Sequence, residues 1–151
     1  MAPTYYFEDL SVGDTFEFDP VMLTEDDIVA FGREYDPLPF HVDAEAAADS
    51  VFGGLIASGI QLIAVSQRVV YEGFYSEAAL LGGLGMDDVR FEVPCRPGDT
   101  LTTRVEVVEL RESQSRDDRG IAATRRSLHT DDGTIAASMI NRFLIGRRET
   151  A

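Results

Sequence analysis

The chain has 151 residues and a formal net charge of −14, with 27 acidic residues against 13 basic ones, all arginine. Nucleic acids and anionic membranes are bound through basic patches that displace counterions, so this balance argues against either as a partner. The length fits one domain, residues 1–151, with 44% hydrophobic residues to build its core. Cys95 is the single cysteine, which excludes an intramolecular disulfide and a cysteine-based metal site.

No basic region followed by an apolar one stands at the N-terminus, so no signal peptide is visible. The most apolar stretch, residues 55–70, is too short and too polar to span a bilayer. We therefore expect a soluble, cytoplasmic protein.

The first half of the chain predicts one strand and two short helices. Residues 15–19 alternate between apolar and polar, which is the period of a half-buried strand. Thr24 followed by three acids predicts a helix N-terminus, and Pro37 predicts that this helix ends by Asp36. Residues 36–41 are then expected to form an extended loop stiffened by two prolines, and Asp43 to cap a short helix over 44–50.

A longer helix is predicted to begin near Ser58. Its apolar positions are Ile60, Ile63, Ala64, Gln67, Val70 and Tyr71. A helix with so broad an apolar surface is usually enclosed by another layer, most simply a sheet.

The second half predicts four strands joined as a meander. Val89, Phe91 and Val93 alternate in the first strand, and residues 101–107 alternate in the second. Residues 121–130 and 134–145 form two further strands across a tight turn at Gly133. The order predicts an α+β fold in which an antiparallel sheet wraps around a long central helix, the architecture called hot-dog.

Asp36 and His41 are the candidate catalytic residues. An acid and a histidine held in a restricted loop can exchange protons with one water before substrate arrives. The alternative is that Asp36 caps a turn and His41 hydrogen-bonds to it, and the spacing alone favours this structural role.

Ser58 and Gly59, at the start of the predicted central helix, are candidate substrate-binding residues. Unpaired N–H groups and the positive end of the helix dipole can hold a developing oxyanion. Ser58 can equally be an N-cap and Gly59 a packing residue, and the two roles are compatible. Ser66, two turns along the helix, is either a polar pocket residue or a small packing residue, and His129 is expected to be structural or exposed.

Together these residues resemble the MaoC-like dehydratases, the family of (R)-specific enoyl-CoA hydratases with the hot-dog fold. The matching positions are Asp36, Pro39, His41, Asp43, Ala46–Ala48, Phe52, Gly53, Ser58, Gly59 and, later, Pro94, Pro97, Gly98, Asp99 and Gly133. Leu38 departs from the pattern, because hydratases usually carry Asn there beside the catalytic pair. Phe40 also departs from it, replacing a smaller aliphatic residue and narrowing the pocket.

The resemblance implies reversible syn addition of water to a trans-2-enoyl thioester, giving a (3R)-3-hydroxyacyl thioester. Asp36 would take a proton from the attacking water, His41 would hold that water and help protonate C2, and the Gly59 N–H would stabilise the enolate oxygen. Coenzyme A would be part of the substrate, with no metal or other cofactor, and the chain would form a homodimer or higher homo-oligomer. The candidates for binding coenzyme A are Arg68, Arg90, Arg96 and Arg104.

Two other functions remain open from the sequence. A hot-dog acyl-CoA thioesterase usually has a carboxylate on the central helix, and this helix has no acid before Glu72. A non-catalytic acyl-CoA-binding module is favoured mainly by Leu38. None of these features predicts the length of the acyl chain. Nor do they predict whether the carrier is coenzyme A or acyl carrier protein.

Overall fold

The computed structural model describes residues 2–149. The helices are α1 Glu25–Tyr35, α2 Pro39–Val42, α3 Ala44–Ala48 and α4 Gly59–Gly73, with single-turn 3-10 helices at Phe7–Asp9 and Tyr75–Glu77. The strands are β1 Thr15–Glu17, β2 Val21–Met22, β3 Leu80–Phe91, β4 Thr100–Glu112, β5 Arg119–His129 and β6 Ile135–Gly146.

The strands form one antiparallel sheet in the order β1-β4-β5-β6-β3, with β2 also paired to β4. The prediction of a four-strand meander is therefore wrong for β3, which pairs with β6 and not with β4. A hairpin needs a short turn, whereas residues 92–99 make a long connection past the start of α4. In this connection, the Ala57 N–H donates to the Cys95 carbonyl at 2.8 Å.

Alternation along β4 places its apolar side chains on the inner face of the sheet. Leu101, Val105 and Val107 are buried together with Thr103, as predicted. On β5 and β6 the same period buries Ala122, Leu128, Met139, Phe143 and Ile145. These residues pack in the core with Leu62 and Val70 of α4, so the sheet wraps around α4 as expected.

The buried face of α4 differs from the predicted one. Its buried residues are Gln61, Leu62, Ser66, Val69 and Val70. Ile60 and Tyr71 are instead 54% and 57% exposed. The helix is apolar on more than one side, so its pattern alone could not show which side meets the sheet.

The first helix begins as predicted, because the Thr24 hydroxyl accepts a hydrogen bond from the Asp27 N–H at 3.1 Å. The loop predicted over residues 36–41 is only partly extended. Pro39 starts the one-turn helix α2, where a proline at the first position loses no hydrogen bond and has its φ already set. Asp43 caps α3 by accepting from the N–H groups of Glu45 and Ala46.

Strand β3 forms one edge of the sheet. Its large apolar side chains are exposed along its length, at Leu80, Leu81, Leu84, Met86, Val89 and Phe91. Exposed apolar edge strands are where sheets pair with another chain. Within residues 2–149, no helix is long and apolar enough to cross a membrane.

Candidate active site

Asp36 lies where α1 ends and the chain turns toward α2. Its N–H donates to the Gly32 carbonyl at 2.9 Å, which terminates the helix, and Pro37 prevents the helix from continuing. Its carboxylate oxygen Oδ2 accepts a 2.7 Å hydrogen bond from the Ser58 hydroxyl. The side chain is only partly exposed, and the hydrogen bond from Ser58 orients the carboxylate at the start of α4.

His41 is buried in α2 and is anchored by the backbone. Its Nδ1 lies 2.7 Å from the carbonyl oxygen of Ile56. A carbonyl oxygen can only accept, so Nδ1 must carry the proton. The other nitrogen, Nε2, faces Asp36 Oδ2 at 3.4 Å.

In this arrangement two atoms able to accept hydrogen bonds lie 3.4 Å apart. Neutral His41 with Nδ1 protonated presents a lone pair at Nε2, and the Asp36 carboxylate presents lone pairs at Oδ2. A water can donate one hydrogen to each, which leaves its own lone pairs free to attack an electrophile. The geometry therefore suits activation of water by a general base.

The start of α4 lies beside the pair. The Ser58 hydroxyl accepts from the Ile60 N–H at 3.2 Å while it donates to Asp36, so the N-cap and the carboxylate share one side chain. N–H groups in the first turn of a helix have no intrahelical acceptor and lie at the positive end of the dipole. Gly59 leaves room for Phe91, since an added Cβ would lie under 3.0 Å from atoms of its ring.

Ser66 lies two turns further along α4, away from Asp36 and His41. It is fully buried, donates to the Ile63 carbonyl at 2.8 Å, and accepts from Arg126 Nη1 at 3.1 Å. Its hydroxyl thus links α4 to β5, and its role in binding substrate stays a prediction.

The remaining candidates lie outside this cluster. His129 is half-buried, with Nε2 at 2.8 Å from the Ser127 hydroxyl. Burial raises the pKa of the Cys95 thiol to about 11, with a further contribution from the charge of Asp99, so it is a poor nucleophile. No group of three or more metal-ligating side chains occurs in the described part of the chain.

Of the four arginines expected to bind coenzyme A, Arg96 contacts the loop that precedes α4. Its guanidinium donates to the Phe52 carbonyl and packs near Gly54, in the loop that precedes α4. Arg68 pairs with Glu72 on the exposed side of α4. Arg104 lies opposite Glu17 on the outer face of β4, and Arg90 is exposed on β3.

A cleft of about 780 Å³ opens between α1 and α4, but neither Asp36 nor His41 lines it. Its walls include Phe31, Tyr35 and Gln61. The hydrogen-bond geometry, and not the size of this cleft, therefore identifies the candidate site.

Three groups that contact α4 or the candidate pair were not predicted from the sequence. The Ile56 carbonyl orients His41, and the Phe91 ring packs on Gly59. Arg126 lies on the inner face of β5, where the alternation of Ala122, Thr124 and Leu128 could have placed it.

Comparison with known proteins assigns the family. Residues 9–133 match the model of the MaoC like domain. The chain belongs to the MaoC-like domain family. It is 38% identical to the uncharacterized protein YdeM of Bacillus subtilis over 103 residues, which cover 68% of this chain and 72% of that protein.

Solved structures agree with this family assignment. The MaoC-like dehydratase from Rhodospirillum rubrum superposes with a TM-score of 0.88 at 32% identity, over 97% of this MaoC-like chain and 99% of the other. An (R)-hydratase from A. caviae involved in PHA biosynthesis superposes with a TM-score of 0.71 at 24% identity, over 91% and 97% of the two chains, which shows a shared fold. The fold is hot-dog, as the resemblance implied.

Proposed function

We propose that this MaoC-like protein is an (R)-specific hydratase that adds water reversibly to a trans-2-enoyl-CoA thioester, giving (3R)-3-hydroxyacyl-CoA. The observation that carries the proposal is the 3.4 Å approach of His41 Nε2 to Asp36 Oδ2 beside the start of α4. Membership of the family of the Rhodospirillum rubrum dehydratase supports the same class of reaction.

Asp36 and His41 supply the acid–base chemistry. Water is a poor nucleophile, so Asp36 accepts one of its protons as the oxygen bonds to C3. The pair then returns a proton to C2 on the same face of the double bond, which makes the addition syn and balances the reaction. Positioned acid–base groups of this kind contribute on the order of 10²–10⁴-fold to the rate.

The start of α4 supplies stabilisation of charge. Attack at C3 moves negative charge onto the thioester carbonyl oxygen, and C2 becomes basic only while that charge is held. The Gly59 N–H and the helix dipole favour an oxyanion at this position. The base, the attacking water and the oxyanion donor would then lie close together at the start of α4.

Coenzyme A is polyanionic, so its binding to a protein of charge −14 requires local positive charge. Arg96 is the candidate that we favour, because it is held against the loop from Phe52 to Gly54 that leads into the site.

We also propose a homodimer built through β3. This edge strand presents Leu84, Met86 and Val89 to solvent in a single chain. Pairing with β3 of a second copy would satisfy the unpaired backbone groups of this edge, extend the sheet and bring the exposed apolar side chains of the two copies together.

The proposed reaction is tested by adding the protein to crotonyl-CoA and to longer and branched enoyl-CoAs, with enoyl absorbance and free thiol followed together. We expect absorbance to fall without release of thiol, and the product to be the (3R) isomer. Release of thiol would instead assign a thioesterase, and no change with any enoyl-CoA would contradict the hydratase proposal.

A further inference from the structure

Arg126 is a buried cation without a buried anion. Its side chain is 0% exposed in the core between β5 and α4. Nη1 donates to the Ser66 hydroxyl, and Nη2 donates to Gln67 Oε1 at 2.9 Å and to the Tyr75 hydroxyl at 3.2 Å. All three acceptors are neutral, and no ion pair among the described residues includes Arg126.

Such a charge is costly, because burial removes its water and no carboxylate compensates for it. Desolvation lowers the pKa of Arg126, but a guanidinium remains protonated in proteins. A buried guanidinium held by neutral groups is therefore suited to receive an anion.

Further buried polar groups without partners lie on the same face of the sheet as Arg126. Arg126 Nε, Asn141 Nδ2 and Thr124 Oγ1 are buried and have no hydrogen-bond partner within residues 2–149. Thr124 lies directly opposite Asn141 across β5 and β6, and Arg126 follows two residues later on the same face. Three groups that can donate thus lie together on the inner face of the sheet.

One edge of the guanidinium is only partly satisfied and matches a carboxylate. Nε and Nη2 form one edge of the fork, and a carboxylate can accept from both at once. Nε is unpaired, whereas Nη2 donates to both Gln67 and Tyr75. A carboxylate at this edge would displace one of them, and Gln67 is the exposed side chain of the two. A cleft of about 200 Å³ is lined by Asn141 and by Gln67 and Tyr75, two of the residues that accept from Arg126, although Arg126 itself does not line it.

The position relative to the candidate active site suggests which molecule brings the carboxylate. Ser66, the partner of Arg126, follows Gly59 by seven residues, which is a rise of about 10 Å along the helix. A thioester carbonyl at Gly59 and a carboxylate at Arg126 would therefore be separated by an acyl chain of several carbons.

We propose that Arg126, with Asn141 and Thr124, binds a carboxylate at the far end of the acyl chain, so that the preferred substrate is the enoyl-CoA monothioester of a dicarboxylic acid. The catalytic part of this inference rests on the proposed hydratase function, whereas the binding part does not.

The first experiment compares pairs of acyl-CoA ligands of equal length, one ending in a methyl group and one in a carboxylate, over chains of four to ten carbons. Calorimetric binding of the saturated thioesters needs no turnover, so it tests the carboxylate subsite even if the protein is not a hydratase. We expect the carboxylated ligand to bind on the order of 100-fold more tightly at the best length. Equal binding, or tighter binding of the methyl-ended ligand at every length, would overturn the proposal.

Variants then assign the preference to the cluster. Arg126→Met should remove the preference, whereas Arg125→Met, on the adjacent exposed position of β5, should retain it. If Arg126→Met does not fold, Asn141→Asp provides an independent test, since it places a permanent carboxylate beside the guanidinium. We expect Asn141→Asp to remain folded and to lose the preference for the carboxylated ligand over the methyl-ended one. Retention of the preference in Asn141→Asp would contradict the assignment and leave Arg126 a purely structural link between β5 and α4.

Discussion

The Ser58 hydroxyl donates a 2.7 Å hydrogen bond to Asp36 Oδ2 and accepts another from the Ile60 N–H. One side chain therefore caps α4 and orients the candidate base, so the stability of the helix start and the position of the carboxylate are coupled.

Removal of this hydroxyl should affect both properties. In Ser58→Ala we expect the free energy of unfolding to fall by about 1 kcal/mol, the usual cost of a lost N-cap. Hydration should also slow, because Asp36 loses the group that orients it. Chemical denaturation and the crotonyl-CoA assay measure the two effects.

The matched control is Thr24→Ala, which removes the corresponding N-cap of α1. It should lower stability by about the same amount and leave the rate of hydration unchanged. Equal loss of rate in both variants would mean that Ser58 acts only through stability.

Asp36→Asn and His41→Ala should each lower hydration by about 10²–10⁴-fold in a folded protein, because each removes one of the two groups that hold the water. The rate is measured from loss of enoyl absorbance, and circular dichroism checks the fold. His129→Ala is the control, since the second histidine lies outside the site. A near-unchanged rate in either site variant would reject the assignment of the pair.

Gly59 and Phe91 should be energetically coupled, because a Cβ at position 59 would overlap the Phe91 ring. Gly59→Ala alone should destabilise the protein by about 1–3 kcal/mol. In a protein that already carries Phe91→Ala, Gly59→Ala should lower the free energy of unfolding by much less. The free energies of unfolding of the unchanged protein, the two single variants and the double variant, obtained by denaturant unfolding, form a double-mutant cycle. If the two losses of stability simply add, the ring is free to move away.

Cys95 should resist alkylation at pH 8, because the thiol is buried and its pKa is raised to about 11. Mass spectrometry should show little reaction with iodoacetamide in buffer and rapid reaction in concentrated urea. Labelling of the native protein as fast as a small free thiol would contradict the burial.

The proposed dimer should depend on β3. We expect light scattering to give twice the 16.6 kDa mass of one chain, and Leu84→Glu to reduce it by placing a charge on the paired edge. Val51→Glu is the control, because Val51 is 96% exposed but lies in the loop before α4. A single-chain mass for the unchanged protein would reject the dimer.

Much of the fold was predictable because its signals are local. A helix cap acts over three residues, so Thr24 and Asp43 could be identified by reading along the chain. The alternation of β4 and the turn at Gly133, where φ is +86°, likewise depend on near neighbours. Asp36 and His41 could be proposed together because the two prolines between them restrict the chain.

Only the tertiary structure decided the contacts between residues that are far apart in the sequence. Ser58 and Asp36 are 22 residues apart, and Arg126 meets Ser66 across 60. The pairing of β3 with β6, and the face of α4 that is buried, likewise depend on how the whole sheet closes around the helix. Such contacts depend on how much apolar surface the whole chain can bury at once. No short stretch of sequence predicts that total.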